Sequence, residues 1–282
     1  AIPEGLPAIV TIALALGVQR MVKRHVLIRK LPSVETLGCT TVICSDKTGT
    51  LTQNEMTVKK IFVNGKTIDV SGTGYAPEGN FSSNGIPLLE TDLQALKKLL
   101  KIGVLCNNAY LKQHINNTWK IIGDPTEGAI LSVAAKAGVW KEELEKKLPL
   151  LSEIPFDSDR KKMSTVRNTP DSLFVCEKGA PDVILKDCTK IYLEGVIRDL
   201  TKNDTHIILN ENCKMAEAAL RVLGAAFKPL NRDITNTVPD AIEKNMIFAG
   251  LFAMIDPPRP EAKDAVATCH DAGITTVMIT GD

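Results

Sequence analysis

The sequence is poor in aromatic residues and almost balanced in charge. Aromatics make up 4% of the 282 residues, and 34 Lys and Arg stand against 33 Asp and Glu. Neither base-stacking platforms nor a basic surface is indicated, so we expect no nucleic-acid partner. No two of the seven cysteines form a C-x-x-C pair, and the four histidines do not cluster with them. The fold therefore rests on neither a disulfide scaffold nor a zinc site.

Two common nucleotide signatures and a full membrane span are also missing. There is no Walker A sequence, and no G-x-G-x-x-G follows a strand, so a nucleotide would have to be held in another way. The apolar segment at residues 1–18 is slightly shorter than the 20 or so residues that cross a bilayer. The rest of the composition, 44% hydrophobic and 24% charged, is that of a globular protein of roughly two domains.

Residues 1–18 carry one charge, Glu4, and six basic residues follow at positions 20–30. This pattern predicts the second half of a membrane helix with a cationic cytoplasmic flank, or alternatively a buried helix of a soluble protein. Pro3 and Pro7 interrupt the backbone hydrogen bonds around Glu4, and a carboxylate at membrane depth usually marks an ion path. The alternative is that Glu4 lies at an exposed helix start.

A short β-branched run at residues 40–44 predicts a buried strand that leads into S-D-K-T-G-T-L-T at positions 45–52. Asp46 then lies at the carboxyl end of a strand, where α/β sheets bind ligands, and a carboxylate there can attack a phosphoryl group. Lys47 supplies positive charge, and Thr48 supplies a hydroxyl near the phosphate. Such a transfer requires Mg²⁺. The alternative is an ordinary turn after a strand.

A second strand–helix–strand pattern occupies the far end of the chain. Residues 246–255 form a strand-like run, Pro260 opens a predicted helix through Asp271, and residues 274–279 predict a buried strand that ends in T-G-D. We expect strands 40–45 and 274–279 to pair in parallel and to present two phosphate-handling loops at one edge.

The residues between these two regions predict an insertion with its own structure. Its expected elements are a hairpin at 56–63 and 66–70 around Asn64-Gly65, a loop at 71–87, and helices at 89–107, 124–137 and 140–148. Phe156 stands next to the cations at 160–162, and Lys178-Gly179 follows a predicted strand. These are candidates for an adenine slot and a phosphate contact. The alternatives are a core aromatic, a solvated turn and a strand exit.

These motifs resemble the P-type ATPases. The octapeptide around Asp46, P-E-G-L-P at positions 3–7, G-D-P-T-E-G-A at 123–129, K-G-A-P at 178–181 and the terminal T-G-D are similar to successive elements of that family. The resemblance implies an α/β chain with a partial haloacid-dehalogenase-like, Rossmann-like phosphorylation domain. An α+β nucleotide-binding domain with an antiparallel sheet interrupts it, and half a membrane helix precedes it. The implied ranges are 1–18 for the helix, 19–54 and 246–282 for the phosphorylation domain, and 55–245 for the insertion.

The resemblance also implies roles for individual residues. Phe156 stacks on adenine, Glu127 reaches its amino edge, Lys161, Lys178 and Gly179 line the pocket, and Arg221 meets the phosphates. Asp46 attacks the γ-phosphate of ATP with Mg²⁺ held by its carboxylate and the Thr48 carbonyl. Hinges near 54–57 and 256–259 bring the insertion toward it. The remaining implied residues are Thr280, Gly281 and Asp282 for the phosphoryl group and metal, and Glu4 with the Ile2 carbonyl for the transported ion.

P-E-G-L-P is similar to the segment found in Ca²⁺ pumps, although Na⁺/K⁺ and H⁺/K⁺ pumps share much of it. We therefore expect an integral membrane pump, in contact with lipid, whose domains in this chain face the cytoplasm. The family's later G-D-G-x-N-D segment and its T-G-E loop do not occur in the sequence. We expect a fragment that binds ATP without turning it over. The alternatives are a soluble phosphatase with an aspartyl nucleophile and a nucleotide-binding module without enzymatic activity.

Overall fold

The computed structural model describes residues 5–114, 118–231 and 242–280. The chain divides into two compact units: unit 1 is Ala1–Gln53 with Pro258–Asp282, and unit 2 is Asn54–Pro257. Unit 2 is thus inserted between two segments of unit 1. It covers Asn54–Pro257, and the insertion expected from the sequence is 55–245.

The described elements have the following bounds. The helices are α1 (Leu6–Val22), α2 (Pro32–Gly38), α3 (Glu90–Leu105), α4 (Pro125–Lys136), α5 (Lys141–Lys147), α6 (Pro181–Asp187), α7 (Lys202–Glu217) and α8 (Ala262–Asp271). The strands are β1 (Val42–Asp46), β2 (Thr57–Val63), β3 (Lys66–Val70), β4 (Phe81–Ser83), β5 (Ile86–Pro87), β6 (Tyr110–Gln113), β7 (Trp119–Ile122), β8 (Leu150–Asp157), β9 (Lys162–Asn168), β10 (Leu173–Gly179), β11 (Cys188–Leu193), β12 (Val196–Asp199), β13 (Arg221–Leu230), β14 (Met246–Ile255) and β15 (Thr275–Ile279).

In unit 1, β1 and β15 pair in parallel, with Asp46 opposite Ile279. This confirms the predicted pairing, and it places the carboxyl ends of both strands at one edge. Helix α8 begins two residues later than predicted, because Pro260 and Glu261 form a turn before it. Gly273 follows the helix with a φ of 72°, the left-handed conformation expected of a glycine cap.

Helix α1 has 17 residues, with Pro7 in its first turn and no buried side chain. No helix among the described residues is long and apolar enough to cross a membrane. Assignment of this segment to part of a membrane helix therefore stays a prediction.

Strand β14 corrects the sequence reading of the far end. The sequence suggests that Met246–Ile255 belongs with strand 274–279, but β14 pairs antiparallel with β2 and β13 in unit 2. Nine of its ten residues are buried. A continuous apolar run is typical of any strand covered on both faces, so the pattern predicts the strand without saying which sheet contains it.

Eleven strands of the described part of unit 2 form one sheet. Nine follow the order β5-β4-β3-β2-β14-β13-β10-β9-β8, and β11 joins β14 while β12 joins β11. Only the β11–β14 pair among them is parallel. The predicted antiparallel insertion is therefore confirmed, whereas the haloacid-dehalogenase-like architecture of unit 1 stays a prediction.

Helices cover both faces of this sheet. Helices α3 and α4 share one apolar cluster with the strands, and α6 and α7 share the other. Alternate residues of β14 serve the two clusters: Phe252 and Met254 face the first, and Leu251 and Ala253 face the second. This alternation is the two-residue period of a strand buried on both sides.

Two Asn-Gly turns shape the first hairpins of unit 2. Asn64 and Gly65 have φ values of 57° and 71° between β2 and β3, which confirms the predicted turn. The predicted loop at 71–87 is wrong in its second half. Asn84 and Gly85 form the same kind of turn, with φ values of 51° and 76°, between the short strands β4 and β5.

Candidate functional site

A cavity of about 600 Å³ opens on unit 2 and collects most of the predicted nucleotide residues. It is lined by Glu127, Phe156, Lys178, Gly179 and Arg221. The lining is completed by residues that the sequence analysis did not assign: Asn108, Asp124, Thr126, Glu153, Pro155, Met163 and Leu223. A cavity of similar volume, about 590 Å³, lies beside β3 and α7 and contains none of the predicted residues.

The start of α4 forms one wall. Asp124 is the N-cap, and its carboxylate accepts hydrogen bonds from the backbone N–H of Thr126 at 2.8 Å and of Glu127 at 3.2 Å. Pro125 occupies the first turn, where its missing N–H is not needed. The cap fixes the direction in which Glu127 leaves the helix.

Glu127 is held from both of its carboxylate oxygens. Oε1 accepts from Lys178 Nζ at 2.5 Å, and Oε2 accepts from the backbone N–H of Asn108 at 3.0 Å. Lys178 is 5% exposed, so this ion pair is largely shielded from water and each partner needs the other.

Lys141 supports the loop that carries Asn108. Its buried ammonium donates to the carbonyls of Asn107 at 2.8 Å and Ala109 at 2.9 Å. Burial lowers the pKa of Lys141. The loop behind the cavity is therefore fixed by a buried cation rather than by secondary structure.

Strand β8 contributes an aromatic side chain and a carboxylate. Phe156 is 63% exposed, far more than a core aromatic, and it lines the cavity together with Glu153. Residues three apart normally face opposite sides of a strand. Here the register against β9 shifts between Ile154 and Asp157, and this irregularity brings both side chains to the cavity.

Gly179 is required for a reason that the sequence does not reveal. The sequence suggests close approach of a ligand, but a Cβ there would lie 2.4 Å from the Lys161 carbonyl oxygen and 2.6 Å from Lys162 Cβ. The same carbonyl accepts from Ala180 N–H at 2.9 Å. Lys161 itself is exposed with a φ of 54° and is not among the residues that line the cavity.

Arg221 begins β13 at the opposite side of the cavity from β8. Its guanidinium donates to Thr126 Oγ1 at 3.3 Å. Strands β13, β10, β9 and β8 are consecutive in the sheet, so Arg221 and Glu153 are three strand spacings apart across the sheet, roughly 14 Å. They are also offset along the strands, because Glu153 is level with Phe227 and not with Arg221. The cavity is cationic at one end and carries a carboxylate and an aromatic at the other.

A buried ion cluster lies beneath the turn between β8 and β9. Lys162 Nζ is 2.9 Å from Glu177, 2.5 Å from Asp187 and 3.0 Å from Glu243. Arg160 pairs with Glu243, which also accepts from Ser164 Oγ at 2.7 Å. The cluster ties the turn to the body of unit 2.

Burial and neighbouring charges shift the pKa values of this cluster in opposite directions. Burial raises the pKa of Glu177 to about 7, although Lys162 opposes the shift. Burial lowers the pKa of Lys162, but the three carboxylates outweigh it and the net shift is upward. Burial likewise raises the pKa of Glu243, yet Arg160, Ser164 and Lys162 hold it below its usual range.

In unit 1, Asp46 ends β1 and is exposed, and a tight turn at Lys47–Leu51 follows. Gly49 takes a φ of 76° and donates to Thr52 Oγ1 at 3.2 Å. Arg259, which the sequence places only in a predicted hinge, donates to the carbonyls of Gly49 and Thr50, both at 3.1 Å. The second segment of unit 1 thus fixes the turn after Asp46.

Of the remaining predicted residues, only some lie in the described part of the chain. Thr280 follows β15 at the same edge as Asp46. Ile2, Glu4, Gly281 and Asp282 lie outside the described residues. Within the described ranges, no group of three or more His, Cys, Asp or Glu side chains is arranged to hold a metal ion.

The part of the chain that contains the cavity and most of the sheet matches a known protein family. Residues 95–261 match the family model "P-type ATPase, cytoplasmic domain N". The chain belongs to the P-type ATPases. The matched residues include β14, which agrees with the place of this strand in unit 2. The match also decides against the soluble phosphatase alternative.

Curated P-type ATPases align with the whole chain. It is 45% identical over 286 residues to the calcium-transporting ATPase of Bacillus subtilis, and 49% identical over 282 residues to calcium-transporting ATPase 1 of Bacillus cereus. It is 45% identical over 289 residues to the cation-transporting ATPase pma1 of Synechocystis sp.. The chain spans between 29% and 32% of the length of these relatives.

Proposed function

We propose that the cavity of unit 2 binds ATP and that Asp46 of unit 1 accepts its γ-phosphoryl group during ATP-driven cation transport. The observation that carries the proposal is the convergence of Phe156, Lys178 and Arg221 on one cavity in a domain of the P-type ATPase family. An exposed aromatic offers a stacking face for a base, and two cations offer charge for phosphates.

The direction of the nucleotide follows from the charge of the cavity. Phe156 is on β8 and Arg221 is on β13, at opposite ends. The triphosphate is the strongly anionic part of ATP, so it is expected at the Arg221 end. The base then lies against Phe156, with Lys178 between the two ends.

At Asp46, a carboxylate oxygen would form a bond to the γ-phosphorus while the bond to the β-phosphate oxygen breaks and ADP leaves. The turn after Asp46, fixed by Arg259, keeps the carboxylate exposed. Mg²⁺ prefers oxygen ligands, and the Asp46 carboxylate and Thr48 carbonyl fit that preference. The bound ion would neutralise charge on the phosphate oxygens. Lys47 and Thr280, with Gly281 and Asp282, are proposed to hold the phosphoryl group.

The transported ion is proposed to be Ca²⁺, since two of the relatives described above are named calcium-transporting ATPases. The proposed ligands from this chain are Glu4 and the Ile2 carbonyl, within a membrane-embedded pump whose units 1 and 2 face the cytoplasm. A Na⁺/K⁺-type or H⁺-type pump is the alternative.

Calorimetric titration of the 282-residue chain with ATP tests the nucleotide site. Phe156→Ala is expected to weaken binding by about fivefold or more, because stacking on an aromatic contributes about 1–3 kcal/mol per base. Leu151→Ala is the matched control, since Leu151 is 55% exposed on the same strand and does not line the cavity. Absence of ATP binding by the folded wild-type chain would refute the proposal.

A further inference from the structure

We propose that Lys141 is a positioning residue of the nucleotide site, which holds the Glu127 carboxylate in place through the peptide unit that joins Asn107 to Asn108. This inference rests on the proposed nucleotide site, and it adds a residue that does not line the cavity. Its basis is the set of contacts on the two sides of one short loop, residues 106–109.

Both ends of this peptide unit have charged partners. Its carbonyl, from Asn107, accepts a hydrogen bond from Lys141 Nζ at 2.8 Å. Its N–H, from Asn108, donates to Glu127 Oε2 at 3.0 Å. The carbonyl and the N–H of a trans peptide point in opposite directions, so the ammonium and the carboxylate lie on opposite sides of the loop. Because hydrogen bonds in such a chain polarise one another, the positive charge of Lys141 strengthens the bond that holds Glu127.

Lys141 also sets the orientation of the peptide unit. Its ammonium donates to the Ala109 carbonyl at 2.9 Å as well, so it binds two carbonyls of the same loop. The side chain of Asn107 adds two contacts at 2.9 Å: Oδ1 accepts from the Ala109 N–H, and Nδ2 donates to the Glu127 carbonyl. A rotation of the loop would therefore break contacts of Glu127 and of Lys141 together.

The charge of Lys141 is only partly neutralised by its direct neighbours. The side chain is 5% exposed, and the carboxylate that pairs with it, Glu145, is 3.7 Å away and 34% exposed. The Tyr110 ring, with its centroid 4.1 Å from Nζ, adds a cation–π contact. Burial lowers the pKa of Lys141, and the negative charges of Glu145 and Glu127 oppose this shift. The ammonium and the Glu127 carboxylate therefore stabilise each other across the loop.

This second support matters because Glu127 shares Lys178 with the nucleotide. Oε1 of Glu127 accepts from Lys178 Nζ at 2.5 Å, and Lys178 also lines the cavity. A carboxylate held by Lys178 alone would move with that ammonium or restrain it. With Oε2 held by the loop, Lys178 can direct another of its three donors at the nucleotide while Glu127 keeps its position. Affinity gains from such preorganisation, because fewer groups have to be ordered on binding.

Calorimetric titration with ATP in a double-mutant cycle separates this role from a purely structural one. Lys141→Met should weaken ATP binding by about threefold or more, in the lower range of coupling between groups of one network. In a Glu127→Gln background, which lacks the carboxylate charge, the same substitution should weaken ATP binding by less than about twofold. Lys141→Arg keeps the charge and should recover part of the affinity. Lys147→Met is the matched control at an exposed position of α5, and it should keep the wild-type affinity.

A spectroscopic measurement tests the same link without nucleotide. The Asn108 amide proton is deshielded by its hydrogen bond to a carboxylate, so its resonance should move upfield in the ¹H–¹⁵N spectrum of Lys141→Met and stay in place in Lys147→Met. Urea unfolding shows which variants are folded. Lys141→Gln, which keeps a neutral donor, takes the place of Lys141→Met in both measurements where the latter is unfolded.

Equal losses of ATP affinity in the wild-type and Glu127→Gln backgrounds overturn this inference and leave the nucleotide site intact. An unmoved Asn108 amide proton does the same. Failure of the folded wild-type chain to bind ATP overturns the proposed function, and this inference with it.

Discussion

Replacement of Lys162 by Met should destabilise unit 2 more than any exposed substitution near the cavity. Methionine keeps the length of the side chain and removes its charge. In the structure this charge lies 2.9 Å from Glu177, whose side chain is 0% exposed, and within 3.0 Å of Glu243, whose side chain is 4% exposed. Breaking a buried ion pair by removing one partner leaves an uncompensated charge, which costs about 3–5 kcal/mol.

The loss should depend on pH in a defined direction. Burial raises the pKa of Glu177 to about 7, above its usual value, so the folded state holds this proton more tightly than the unfolded state. Without Lys162 the pKa rises further. As the pH falls, Glu177 becomes protonated in the folded variant and the destabilisation decreases. The difference in the free energy of unfolding between the variant and the wild type should therefore be smaller at pH 6 than at pH 8.

Urea unfolding followed by tryptophan fluorescence measures this loss, because Trp119 and Trp140 are both in unit 2. Lys161→Met is the matched control, since Lys161 is the neighbouring residue and is exposed. Addition of Glu177→Gln to Lys162→Met should recover part of the loss by removing the stranded charge. A Lys162→Met midpoint no lower than that of Lys161→Met at pH 8 would refute the reasoning.

Three further outcomes follow from local geometry. Gly179→Ala should lower the melting temperature by an amount equivalent to about 1–3 kcal/mol, because its Cβ meets backbone atoms of the β8–β9 turn; Gly38→Ala, with open space around it, should change little. Asp204→Ala should cost about 1 kcal/mol at pH 7, because it removes the side chain that accepts from the Thr201 N–H in the capping box of α7. Arg198 holds the pKa of Asp204 well below its usual range. The wild type should therefore lose its extra stability over the variant as acid titration protonates this carboxylate. The same pH dependence of stability in the wild type and the variant would contradict this expectation. Thiol labelling should modify the exposed Cys39, Cys44 and Cys213 quickly. It should modify the buried Cys106, Cys176 and Cys188 only on unfolding. Fast labelling of these three buried cysteines in the folded protein would contradict the burial described here.

The sequence predicts local structure well wherever a single residue type controls the backbone. Asn64-Gly65 predicts its hairpin and Asp124-Pro125 predicts the start of α4, because turn and cap chemistry acts over a few residues. Asn84-Gly85 carries the same turn signal, and a composition rich in Gly, Ser and Pro around it hides the two short strands. Strand β14 shows the limit, since its apolar run is compatible with either sheet.

The candidate site was predictable only for residues that belong to recognisable motifs. Glu127, Phe156, Lys178 and Arg221 are found from their motifs and meet in one cavity. Glu153 and Asn108 are not predicted from the sequence. Glu153 reaches the cavity through a register irregularity, and Asn108 reaches it through a loop held by Lys141. The charges around Lys162 come from three elements distant in sequence, and no local pattern connects Glu177 with Glu243.

The first and last strands of unit 2 are hydrogen-bonded neighbours, with Thr57 opposite Ile255 and Glu55 N–H donating to the Asp256 carboxylate at 3.2 Å. This pairing has a consequence for how the whole chain reaches its fold. Before unit 2 folds, bringing β1 to β15 means closing a very long loop, whose entropic cost grows with the logarithm of its length. Once β2 has paired with β14, that loop is reduced to residues 47–56 and 256–274 on either side of the pair. Unit 2 therefore acts as a tether that lowers the entropy loss of assembling unit 1, and we expect β1 and β15 to join last.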